Sequence, residues 1–73
     1  MPLQSGGRVT SYRLYRFGPR DRLLPPEVVL AKDDREAVDG AARLLEPGQA
    51  GEVWQGARMV GSFSKLGVFT PMA

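Results

Sequence analysis

Residues 52–63, Glu-Val-Trp-Gln-Gly-Ala-Arg-Met-Val-Gly-Ser-Phe, hold the only tryptophan of the chain and read as a tight β-hairpin turning at Gly56-Ala57. A glycine that opens a two-residue loop between strand-like runs selects a type II′ turn, because glycine takes positive φ there without steric cost. With that turn Gln55 pairs with Arg58, Trp54 with Met59 and Val53 with Val60, so Val53 and Trp54 fall on opposite faces of the sheet. Both faces therefore carry apolar side chains. One helix covers one face, and the other is left to solvent or to a partner.

The rest of the chain supplies that helix and two more strands. Residues 9–17 are rich in β-branched and aromatic side chains, with Tyr12 and Leu14 alternating against Arg13 and Tyr15, and form the first strand. Gly18-Pro19-Arg20-Asp21-Arg22 is a polar reversal. Pro25-Pro26 then leads into a second strand, Glu27-Val28-Val29-Leu30-Ala31, and places its start at a sheet edge because proline donates nothing to a ladder. Asp33-Asp34-Arg35-Glu36 has the form of a capping box, in which Asp33 accepts exposed amides and Glu36 reaches back. Val38, Ala41, Ala42 and Leu45 follow at helical spacing, and the helix ends near Glu46, before Pro47-Gly48.

These elements predict an α+β domain of order ββαββ, with a four-stranded antiparallel sheet (order 2-1-3-4) and one helix on one face. Its expected core is Leu14, Val29, Ala31, Val38, Ala41, Leu45, Val53 and Val60. Residues 1–8, with their proline and glycines, are expected to be a disordered lead-in, residues 9–64 the single domain, and residues 65–73 a tail or an arm that pairs with another chain.

Seventy-three residues allow one modest core, close to the size at which chains rely on oligomerisation or staples. The chain has neither cysteine nor histidine, which excludes disulfides, thiol catalysis and the commonest metal ligand and general base. No apolar run is long enough for a signal peptide or a bilayer span, so a cytoplasmic protein without membrane association is expected. Ten basic against eight acidic residues give a net charge of +2, unevenly distributed. Arg8, Arg13, Arg16, Arg20 and Arg22 stand against Asp21 alone in the first third, whereas acids dominate from Glu27 to Glu52.

Tyr12-Arg13-Leu14-Tyr15, Asp33-Asp34-Arg35-Glu36-Ala37 and Glu52-Val53-Trp54-Gln55-Gly56-Ala57-Arg58 carry a resemblance. The chain resembles a group of small uncharacterised alphaproteobacterial proteins in which a YRLYFLD strand, a DDDAEA helix start and an ELWQGAR hairpin recur. The likeness covers about residues 12–60. It implies the ββαββ fold and a bacterial cytoplasm, and it brings no reaction, ligand or catalytic residue. Two departures stand out: Val28 and Leu30 occupy places where such proteins often carry charges, and the first turn is Pro-Arg-Asp-Arg rather than acidic.

Chemistry-bearing motifs are scarce. Ser62-Phe63-Ser64-Lys65 matches the S-x-x-K spacing of serine acyl-enzymes, but that pattern works on a helix with an oxyanion hole and further motifs, and here it ends a strand. Asp33, Asp34 and Glu36 are accounted for by helix capping, and no P-loop or dinucleotide fingerprint is present. No catalytic residue, metal or cofactor is assigned. The expected function is a noncatalytic protein-interaction module, a homodimer or larger homo-oligomer or a binder of another protein, using the sheet face opposite the helix. Tyr15, Val28, Leu30, Trp54 and Met59 would be its apolar anchors and Arg13 and Arg58 its polar rim. The alternative is a nucleic-acid-binding accessory protein, with Arg13, Arg16, Arg20 and Arg22 on phosphates and Tyr15 or Phe17 stacking on a base.

Overall fold

The computed structural model describes residues 8–72, so all but the last residue of the expected lead-in lies outside the described residues. Among the described residues five strands, not four, make one antiparallel sheet. They are β1 (Thr10–Phe17), β2 (Glu27–Ala31), β3 (Ala50–Gln55), β4 (Arg58–Phe63) and β5 (Phe69–Pro71), in the spatial order β2-β1-β3-β4-β5. The helix α1 (Asp34–Leu44) joins β2 to β3, and a short 3-10 turn at Pro19–Asp21 separates β1 from β2. Order 2-1-3-4 is thus extended by a fifth strand. The expected tail or arm pairs within its own chain, through Gly61↔Pro71, Ser62↔Thr70 and Phe63↔Phe69. No helix among the described residues is long and apolar enough to cross a membrane.

Local chemistry explains the boundaries. Asp33 caps α1 by accepting from the Glu36 amide at 2.8 Å, and Glu36 reaches back to the Lys32 amide at 2.9 Å, one residue beyond the usual capping-box partner. Gly56 takes φ 59° while Ala57 stays at negative φ, as a type II′ turn requires. Pro71 sits on the outermost strand, where a missing N–H is tolerated.

The hairpin register is as expected at the turn, with Gln55↔Arg58 and Trp54↔Met59, and then shifts. Val53 pairs with Gly61 rather than Val60, because a β-bulge inserts Val60 as an extra residue. The bulge has a packing reason. In a regular strand positions 60 and 63 point to opposite faces, yet Val60 and Phe63 are both buried in the core. The carbonyl freed at Val60 accepts from the Met72 amide at 2.9 Å, which ties down the end of the chain.

The core lies between α1 and one sheet face. Tyr12, Leu14, Val29, Ala31, Ala37, Ala41, Val53, Val60 and Phe63 are buried, and Val38, Leu45 and Phe69 pack against them. Val38 and Leu45 are therefore flanking rather than central, and Tyr12, Ala37 and Phe63 join the expected set. Phe69 lies at 5.0 Å from Phe63 between ring centroids and covers Gly61. A Cβ at Gly61 would stand 2.3 Å from the Phe69 ring and 2.6 Å from the Thr70 carbonyl oxygen, so only glycine lets β5 close on β4. Gly61→Ala is expected to destabilise the fold by about 1–3 kcal/mol, as overpacking does, because the Thr70 backbone cannot yield as a side chain would. Urea unfolding reads this as a lower midpoint, and an unchanged midpoint would show that β5 contributes nothing to the core.

Candidate interaction surface

Strand parity sorts the expected site residues before any contact is considered. Tyr12 and Leu14 point to α1, so Ser11, Arg13, Tyr15 and Phe17 point the other way. On β2, Val29 and Ala31 are buried, while Val28 and Leu30 stand on the outer face at 63% and 66% exposure. Glu52 and Trp54 of β3 lie on that face, opposite Tyr15 and Arg13. Cross-strand pairing then draws Val28, Arg13, Trp54 and Met59 into one row across four strands. Six of the seven expected interface residues thus share one surface.

The centre of this face is a groove of about 600 Å³ lined by Arg13, Tyr15, Phe17, Leu23, Glu52, Trp54, Gly56 and Ala57. Its polar atoms are largely occupied within the chain. The Arg13 guanidinium donates to the Tyr15 hydroxyl at 2.7 Å and to the Gly56 carbonyl, and its carbon lies 5.4 Å from the Tyr15 ring centroid. The Trp54 indole N–H donates to Glu52 at 3.1 Å. What remains is a set of half-buried rings, Tyr15, Phe17 and Trp54, with exposed Leu23, Val28 and Leu30 around them. Phe17 was expected only as a base-stacking alternative to Tyr15, not as an interface residue, and Leu23 was not expected at all. Phe17 shares the parity of Arg13 and Tyr15, which was signal enough; Leu23 arrives through a single bridge to Phe17 beyond the turn.

Arg58 is a correction. It pairs with Gln55 on the α1 side, where its guanidinium holds Asp34 at 2.8 and 3.0 Å, so it is no part of an outer-face rim. The same carboxylate accepts from the Tyr12 hydroxyl at 2.8 Å. Three elements, β1, α1 and β4, are joined at one carboxylate. The Arg58 hydrogen bond, then that of Tyr12, holds the Asp34 carboxyl below its usual range, while burial first and the Asp34 contact second push the Tyr12 hydroxyl up. This is a structural latch.

The arginines of the nucleic-acid alternative do not form one surface. Arg13 is on the outer face, while Arg16 has the opposite parity and pairs with Glu27 at 3.0 Å. Arg20 and Arg22 belong to the exposed turn beyond, and Arg20 adopts φ 61° there. Of the S-x-x-K residues, Lys65 reaches toward Asp21 at 3.5 Å and Ser62 sits in the ladder opposite Glu52 and Thr70. Among the described residues no cluster of three or more carboxylates could hold a metal ion. No protein family, no curated protein and no solved structure matches the chain.

The latch makes a pH prediction with a definite sign. A carboxyl whose folded pKa is lowered contributes stability that is complete above the unfolded value, about 3.9, and is lost as pH falls through the folded one. Below about pH 4 the parent chain should therefore lose stability more steeply than Asp34→Asn, whereas at pH 7 the variant should be the weaker of the two. Urea midpoints at pH 7 and pH 3 check this, and equal losses on acidification would remove Asp34 as the source.

Proposed function

We propose that this protein is a noncatalytic interaction module that self-associates through the sheet face opposite α1. The observation that carries the reading is the convergence of Tyr15, Val28, Leu30, Trp54 and Met59 with Phe17 and Leu23 on one face that α1 does not cover. Contiguous apolar surface of this kind on a small domain marks an interaction site. A second copy is the favoured occupant because the face is self-complementary in charge. It carries Arg13 and Glu52 on adjacent strands, so a twofold contact brings each near its opposite while the rings pack sheet on sheet.

The chemistry of the chain supports the noncatalytic part. General base catalysis at neutral pH most often uses histidine and nucleophilic catalysis often cysteine, and the chain has neither. Its tyrosine, carboxylate and guanidinium groups with shifted protonation are engaged with one another in the latch. Binding of nucleic acid draws no support from the arginines, which are divided between the two faces and the turn, with Arg16 paired to Glu27 and Arg13 bonded to the Tyr15 hydroxyl.

Light scattering at high micromolar concentration is expected to give a dimer or larger assembly, and Trp54→Asp to lower its order by placing a carboxylate in the middle of the contact. Trp54 is only half-buried on the face away from the core, so the variant should keep its far-ultraviolet circular dichroism. A parent chain that remains a well-folded monomer would overturn the reading.

A further inference from the structure

The outer face is one surface; the free edge of β2 is another. Among the described residues β2 ends the sheet and pairs only with β1, so that within them one side of its backbone is a row of donors and acceptors without a strand partner. Edges of this kind are usually blunted by a bulge or an inward-pointing charge in mid-strand, and β2 has neither, its register with β1 being continuous over Glu27–Ala31. Pro25 and Pro26 stop it at one end.

We infer that β2 pairs antiparallel with β2 of a second copy, about a twofold axis through Val29, to give a continuous ten-stranded sheet with both helices on one side. This goes beyond the face-to-face reading, because it joins the backbone edge of β2 through a different set of bonds, with Val28 and Leu30 taking part in both.

The register follows from symmetry. An antiparallel join about a twofold keeps the two sheets facing the same way only when paired positions have the same parity, and the pairing centred on Val29 satisfies this. Val28 then stands opposite Leu30 of the second copy, and Leu30 opposite its Val28. These are the two most exposed side chains of the strand, and the join gives each an apolar cross-strand neighbour. Charge selects the same orientation. Glu27 begins the strand and Lys32 follows its end, so in this register Glu27 stands opposite Ala31 of the second copy, one residue from its Lys32, whereas a parallel join sets Glu27 beside Glu27 and Lys32 beside Lys32.

The helix is placed to permit the join. Gly40 lies over Val29, where a Cβ would be 3.1 Å from Val29 Cγ1, so the helix comes down beside the axis at its least bulky residue. Gly40, Glu36 and Leu44 share a helix stripe, and Glu36 is bonded to the Lys32 amide at the end of β2, which sets that stripe toward the free edge. Across the axis the helices run antiparallel, so Glu36 of each copy approaches Arg43 and the exposed Leu44 of the other.

Two single variants, Val28→Cys and Leu30→Cys, test the register in a chain that has no other cysteine. Both sites are exposed, so both variants are expected to fold. The two are mixed, unfolded and refolded together so that subunits exchange, then oxidised mildly, and intact mass distinguishes mixed from like pairs. The mixed covalent dimer is expected well above its statistical share, with each variant alone crosslinking far more slowly. A statistical distribution of pairs, or no covalent dimer, overturns the inference. The outcomes separate from those of the face reading: association through the outer face alone gives an assembly that depends on Trp54 in light scattering and shows no preference for 28-to-30 linkage.

Discussion

One helix of eleven residues has to cover a five-stranded sheet, and the arrangement of the chain is shaped by that shortage. Strands lie about 4.8 Å apart, so five of them span roughly 20 Å, while a helix with its side chains is about 10 Å across. α1 therefore covers only the β2 side and the centre, through Ala37 and Ala41 against Val29, Ala31, Leu14 and Val53. Over β4 the cover comes from the sheet itself. Phe69 of β5 folds onto Gly61 and against Phe63, and the Val60 bulge turns one more apolar residue inward. The helix side is thereby closed. Nothing among the described residues is left to do the same for the other face.

The uneven charge of the sequence is offset in part by three ion pairs. Arg16 of the basic first strand meets Glu27 of the next, Arg58 of the hairpin meets Asp34 at the helix start, and Lys65 near the C-terminus lies by Asp21 in the first turn. Exposed pairs of this kind add little stability each, but they bring together elements distant in sequence. Only the Arg58–Asp34 pair is reinforced by a buried partner. Tyr12, at 2% exposure, needs an acceptor for its hydroxyl, and Asp34 is the one within reach at 2.8 Å.

The parts legible in the sequence were those governed by local rules. The type II′ turn, the Asp33 cap, the strand order through β4 and the two apolar faces all follow from neighbouring residues whose preferences agree. The missing parts depended on long-range packing. A regular register pairs Val53 with Val60, and nothing local contradicts it; the conflict appears only when Phe63 is also required in the core. Gly61 within an otherwise apolar strand was the available sign of that bulge, and of a close neighbour above it. β5 was obscured for a different reason, since three residues ending in proline carry almost no strand signal and are held by the Phe69 ring. Arg58 needed no structure to be placed: pairing with Gln55, two residues from Val53, already set it on the helix side.

The two sheet faces also differ in how their polar groups are used, and this bears on association. On the helix side the Tyr12–Asp34–Arg58 latch holds elements of one chain together. On the outer face the hydrogen bonds are short-range and hold side chains in place: Tyr15 and Gly56 fix Arg13, and Glu52 fixes the Trp54 indole. Association costs roughly 0.5–1.5 kcal/mol for each rotamer-rich side chain that must be immobilised, so rings and a guanidinium ordered beforehand lower that cost. Hydrogen bonds already made also lower the desolvation penalty of covering these polar atoms, while the charges of Arg13 and Glu52 still require each other across the contact. A face built in this way loses little by being covered and gains the burial of Val28, Leu30 and Leu23, whereas the latch on the opposite side makes no comparable offer. The asymmetry between the faces follows from the same shortage of helix: the side that α1 covers is tied together by long-range bonds, and the uncovered side is ordered residue by residue.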